Sequence, residues 1–181
     1  MNAGAIGLLL LPVVILLQPP AALLAAQASP KNQSSSLCRN EEQVIFSCAV
    51  APGLTTISLC ASRALDHRRG YLQYRYGRPG AVERQFPQAR ANTQLAFRYA
   101  HYFRARVDRT EITFDSDGYR YTVFDYYEGD MKPVTTIAGV RVSKHGAAPM
   151  ETEMLCQGKA SSKLGSLETI IPRDPDNPLN Q

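Results

Sequence analysis

The residues of this chain whose types and spacing could carry chemistry are its four cysteines, its three histidines and its nine tyrosines. Cys38, Cys48, Cys60 and Cys156 form no C-x-x-C pair. A zinc knuckle needs such close spacing, so no metal site is expected. All four follow an apolar leader, and an even count behind a leader points to disulfides in an oxidising compartment. His67, His101 and His145 would need a nucleophile beside a base to hydrolyse a substrate. No G-x-S-x-G elbow occurs, and the thiols are expected to be bridged. No catalytic residue and no cofactor is therefore expected. His101 falls on the apolar side of its strand and reads as a semi-buried structural residue, while His67 and His145 fall in loops.

Two other patterns bear on ion and phosphate chemistry. Asp115-x-Asp117-Gly118, with Glu128 beyond, opens like a calcium loop. Its glycine arrives two positions early and an aromatic strand follows, so a hairpin turn explains it better. Gly77, Pro79 and Gly80 lack the Gly-Lys-Ser/Thr and the following helix of a phosphate loop. The tyrosines sit mostly in strands, which suit them. Where arginine alternates with them, the face could stack on sugars or bases. The net charge is only +4, and fifteen of the twenty cations are arginine. Such a charge steers partners weakly, and an exported chain does not meet nucleic acid.

The elements that must position these residues follow from the pattern. Residues 5–17 are almost continuously apolar, Pro19-Pro20 follows, and Ala26-Gln27-Ala28 fits a signal-peptidase site. The run is shorter than the roughly 20 residues of a membrane span. Residues 1–28 therefore read as a signal peptide and 29–37 as a flexible lead-in. Residues 38–160 read as one β domain, and 161–181 as a polar, partly disordered tail. Short runs with period-two alternation cover 44–50, 55–61, 71–76, 82–86, 95–107, 111–114, 119–127, 134–143 and 150–156. The fold class is all-β: an antiparallel sandwich or small barrel of about eight strands, tied by disulfides.

Alternation also sorts the cysteines. Val44, Phe46, Cys48 and Val50 share one face, whereas Cys60 lies opposite Ile57, Leu59 and Ala61 on its strand. That favours Cys38–Cys60 with Cys48–Cys156 over Cys48–Cys60 with Cys38–Cys156, and spacing leaves both open. On the long run 95–107, Arg98, Tyr102, Arg104 and Arg106 share the side opposite Phe97, Tyr99 and Phe103. This is the candidate binding face. Its repulsion must be offset by Asp108, Glu111 and Asp125 or by an anionic envelope polymer.

The sequence L-C-x-x-x-E at Leu37, IFSC ending at Cys48, SLCAS around Cys60 and GYLQYRYGRPG from Gly70 resembles a group of small exported bacterial proteins with a cysteine-tied hairpin. The resemblance spans about Cys38 to Pro87, implies export and a β domain, and brings no activity or catalytic residue. Ser116-Asp117-Gly118-Tyr119 is faintly similar to the inhibitory loop of periplasmic lysozyme inhibitors, but the Lys-Gly partner motif does not follow. The expected function is a periplasmic or secreted, non-enzymatic binding or interaction module of the bacterial envelope. Its partner would be an anionic envelope polymer or another envelope protein. The alternatives are an inhibitor of a lysozyme or other cell-wall hydrolase, and an enzyme of unrecognised type.

Overall fold

The structure is a computed structural model that describes residues 1, 36–51, 53, 55–146 and 151–180. The expected leader and most of the lead-in lie outside the described residues, as does the turn residue Pro52. Ten strands form two antiparallel five-stranded sheets that do not close into a barrel. The first sheet holds β1 (Glu42–Val50), β2 (Thr55–Ser62), β3 (Leu72–Arg78), β4 (Ala81–Phe86) and the two-residue β10 (Ser161–Ser162), in the order β10-β1-β2-β3-β4. The second runs in chain order through β5 (Arg98–Arg104), β6 (Val107–Ser116), β7 (Tyr119–Glu128), β8 (Thr135–Lys144) and β9 (Glu151–Leu155).

Period-two alternation gives each sheet one apolar face, and the two faces bury each other. Phe46, Cys48, Ile57, Leu59, Leu72 and Tyr74 meet Phe97, Tyr99, Ile112, Phe114, Tyr121, Val123 and Val140. The Tyr74 and Phe114 rings lie 5.1 Å apart across the interface, and Phe114 stacks on Tyr121 at 4.9 Å. The sheets are also joined covalently. Disulfides link Cys38 to Cys60 and Cys48 to Cys156, and none of the four cysteines is free.

The strand expected over 95–107 is two elements. A short 3-10 turn covers Gln94–Ala96, and β5 ends at Arg104 in a two-residue hairpin through Ala105 and Arg106. Arg106 takes a left-handed φ of 66° although it is neither glycine nor asparagine. Neighbouring groups hold it there. Gly129 N–H donates to the Arg106 carbonyl at 2.7 Å, and the Arg106 guanidinium reaches the Gly129 carbonyl and Asp130.

A second departure lies in β1. Val44 pairs with Cys60 and Phe46 with Leu59, so Ile45 is an extra, bulged residue. Val44 therefore leaves the face it was expected to share with Phe46. The same bulge turns Glu42 to the outer face of the first sheet, beside Arg75. There the five N–H donors of Arg75 go to Glu42 Oε1 and Oε2 (2.7 and 2.6 Å), the Leu37 carbonyl (2.9 Å), Gln73 (2.6 Å) and Gln85 (3.2 Å). Leu37 lies over this network and Cys38–Cys60 pins it, so β2 and β3 are buried on both faces. The Leu37 end of the lead-in is thus packed.

The tail expected over 161–181 is also anchored on the fold at several of its described residues. Ser161 and Ser162 pair with β1, while Leu164, Leu167 and Ile171 enter the core. Their spacing of three and four supplies apolar anchors that the surrounding small and polar residues obscure. Beyond them the chain pairs with the free edge of β5, through Tyr99 N–H to the Pro172 carbonyl and Asp174 N–H to the Tyr99 carbonyl, both 2.8 Å. Asp174 and Asn177 then accept and donate at Thr113 (2.8 Å) and Glu111 (2.6 Å) on the outer face of β6.

Candidate functional site

The inner face of the second sheet carries four successive rows across β5, β6, β7 and β8. The Asp117-Gly118 turn, with φ of 53° and 79°, sets Ser116 opposite Tyr119 and so fixes the β6–β7 register. Phe97, Phe114, Tyr121 and Val142 make the first row. Tyr99, Ile112, Val123 and Val140 make the second. Both pack into the apolar core. The next row is His101, Thr110, Asp125 and Ala138, and the last is Phe103, Asp108, Tyr127 and Thr136. One sheet face thus changes from buried core to polar groups within two residues on three consecutive strands, from Tyr99 to His101, Ile112 to Thr110 and Val123 to Asp125.

The polar rows open on a cleft of about 280 Å³, whose other wall is residues 162–165 and Glu168. His101 Nε2 lies 2.9 Å from Asp108 Oδ1, and both side chains are partly exposed. Asp125, Lys163, Tyr127 and Thr110 complete the polar lining. Tyr99 lies at the floor. Its side chain is fully buried, and among the described residues its hydroxyl has no partner at hydrogen-bonding geometry. Burial raises the Tyr99 pKa above that of a free phenol.

The larger hollows offer less chemistry. One of about 450 Å³ is lined by Arg98, Asp115, Arg120 and Asp174, and Arg120 is already taken by Asp115 at 3.0 Å. Another of about 570 Å³, beside Cys156, has small residues and Lys159. Among the described residues one trio of ligand-type atoms converges within 4.8 Å: Cys38, Glu42 and Cys60. Its sulfurs are bonded to each other and its carboxylate belongs to Arg75.

The expected arginine face is not assembled. Arg98, Tyr102 and Arg104 do share the outer side of β5, but Arg106 belongs to the hairpin turn. Ala100 between them is buried and Asn177 of the tail crosses to β6. Arg98 donates to the carbonyls of Leu95 (2.7 Å) and Phe97 (2.9 Å). Arg104 and Arg106 both pair with Asp130, a residue of the β7–β8 connection. None of the acidic partners expected for them takes that role. Asp108 holds His101, Asp125 lines the cleft, and Glu111 is bound by Tyr126, Arg141 and Asn177. The carboxylates weighed for calcium are likewise occupied: Asp115 by Arg120 and His145, Asp117 by Arg84, Glu128 by Arg109.

His101 is half-buried on the inner side, as strand alternation expects, whereas the site around it is not evident from alternation. The signal is the change of row composition, and the unmarked β5–β6 hairpin hides it. Comparison with protein-family models, with curated proteins and with solved structures found no match for the chain.

Proposed function

We propose that the protein is an exported, non-enzymatic binding module of the bacterial envelope, and that it binds through the cleft formed by His101, Asp108, Thr110, Asp125 and Tyr127. The observation that carries this reading is the extension of an apolar core face into two rows bearing His101, Asp108 and Asp125, which border an open cleft. A packing role does not call for such residues there, whereas a recognition cleft with few, fixed polar groups does. His101 is hydrogen-bonded to a carboxylate and, among the described residues, not to a hydroxyl or thiol, which supports recognition over nucleophilic chemistry. Two disulfides and the apolar leader support export. Among the described residues no helix is long and apolar enough to cross a membrane.

The test is retention on bacterial envelope fractions by the oxidised mature protein and by the double variant Asp108→Asn/Asp125→Asn. Retention of the wild type and loss by a folded variant is expected. Equal retention would remove the cleft, and a turnover activity lost on one polar substitution would remove the non-enzymatic reading.

A second reading is inhibition of a cell-wall hydrolase. The cleft sets Asp108 and Asp125 against Lys163, with Glu168 paired to Arg173, a charge balance that leans acidic and favours a basic enzyme. Inhibition assays on lysozymes of different types decide it, and no effect on any of them eliminates it.

A further inference from the structure

We infer that the cleft takes a carbohydrate, an uncharged or amine-bearing oligosaccharide, with sugar rings stacked on Tyr127 in the cleft and on Phe103 at its border and hydroxyls bound by Asp108, Asp125 and Tyr99. The inference rests on the reading of the cleft as a binding site and adds its ligand class.

Three features converge on it. Phe103 and Tyr127 stand in one row with Asp108 between them, and they are 70% and 45% exposed. Adjacent strands are about 4.8 Å apart, so the two rings are roughly 10 Å from each other, enough for a sugar unit to lie on each. Apolar ring faces suit the C–H face of a pyranose, and the carboxylate between them accepts hydroxyl hydrogens. His101 at 2.9 Å fixes how Asp108 is presented.

The charge balance sets the class. Of the three carboxylates Glu168 is paired with Arg173, which leaves Asp108 and Asp125 facing Lys163, a balance that disfavours a polyanion and accepts a neutral or amino sugar. This separates the cleft from any anionic polymer expected at the arginines. Finally, Tyr99 lines the cleft, and its buried hydroxyl has no partner at hydrogen-bonding geometry among the described residues. A donor in that state is completed by a ligand oxygen.

The test uses the oxidised mature protein and defined probes: cellotetraose, chitotetraose, its de-N-acetylated form, trigalacturonate and tetralysine. Binding is read by calorimetry and by NMR shifts of the cleft residues. At least one of the first three probes is expected to bind saturably. Phe103→Ala and Tyr127→Ala should each weaken it about fivefold to tenfold, the contribution of one stacked ring. Tyr99→Phe should weaken it while leaving or raising the melting temperature, which a purely structural hydroxyl would not do. Trigalacturonate binding as tightly would overturn the class, as would sugar binding that survives both ring variants. Tetralysine binding at the cleft with no effect of Phe103→Ala overturns the carbohydrate and leaves the cleft a binding site. If no probe perturbs the cleft while envelope retention remains cleft-dependent, the carbohydrate inference alone falls.

Discussion

His101 Nε2 stands 2.9 Å from Asp108 Oδ1 on the same sheet face whose next row, through Tyr99 and Ile112, is buried in the core. The two sides of that boundary should respond differently to truncation. Phe97 is fully buried and touches Phe86 and Phe114, so Phe97→Ala should cost about 3–5 kcal/mol. Phe103, on the same strand face, is 70% exposed, and Phe103→Ala should stay within about 0.5 kcal/mol of wild type. Urea unfolding of the oxidised proteins measures both. A large loss at Phe103 would make the polar rows part of the core.

Much of this arrangement was readable from alternation and turns. The strand faces of β2 and β3 follow from period two, because Leu72 and Tyr74 are apolar where Gln73 and Arg75 are not. Asp117-Gly118 announces a type I′ turn, and that turn fixes every pair from Ser116–Tyr119 to Val107–Glu128. What was hidden has local causes. The β5–β6 turn carries no Gly, Asn or Asp, since Arg106 is held left-handed by Gly129 and Asp130, far along the chain. The Ile45 bulge leaves no compositional mark, yet it decides that Glu42 faces Arg75. Three apolar residues spread over 164–171 carry the packing of the tail, too few to outweigh its Asp-Pro-Asp-Asn-Pro sequence.

Glu42 and Arg75 should behave as a coupled pair. Their side chains are 0% and 2% exposed and joined by two hydrogen bonds. Removing one partner leaves a buried charge, so Glu42→Gln or Arg75→Met should each cost about 3–5 kcal/mol. The double change should cost less than the sum of the two, as a double-mutant cycle in urea would show. Additivity would mean that solvent reaches the pair.

The same carboxylate gives an acid limit to stability. Burial alone would raise the Glu42 pKa, but hydrogen bonds from Arg75, Arg39 N–H and Tyr71 overcome it and hold it below its ordinary 4.5. A group lowered on folding stabilises fully above its unfolded pKa and loses that contribution as pH falls through the folded value. Stability should therefore be flat above about pH 5 and decline below 4.5, more steeply in wild type than in Glu42→Gln. At the alkaline end burial raises Tyr74, and burial with Glu111 raises Tyr126. Their contribution is complete below pH 10 and is lost above it. Absorbance titration of the tyrosines checks this: all nine ionising together near 10 without unfolding would contradict it.

The two disulfides should contribute unequally. Cys38–Cys60 spans 22 residues and Cys48–Cys156 spans 108. In the chain-entropy account, closing these loops stabilises by about 3 and about 5 kcal/mol. The longer one also ties the two sheets together, whereas the shorter one holds Leu37 over the Arg75–Glu42 network. Cys48→Ala/Cys156→Ala should therefore lower the melting temperature more than Cys38→Ala/Cys60→Ala. The reverse order would show that the sealed network matters more than loop closure.

Asp130 should govern how far Arg104 and Arg106 respond to polyanions. It pairs with both, and the Arg104 hydrogen bond is the main cause of its lowered pKa. While Asp130 is ionised the two guanidinium groups are partly neutralised, and the wild type should bind an anionic polymer only weakly. Asp130→Asn removes that charge and raises the formal net charge from +4 to +5. Retention on a heparin column at low salt should increase, and it should vanish as salt screens exposed charges. Adding Arg104→Gln and Arg106→Gln to Asp130→Asn should return retention to the wild-type level, which separates these two cations from the general charge. Folding is monitored in parallel, because Arg106 also holds the left-handed turn through Gly129. Strong wild-type retention that the two arginine changes abolish would restore this surface as an anion site in its own right.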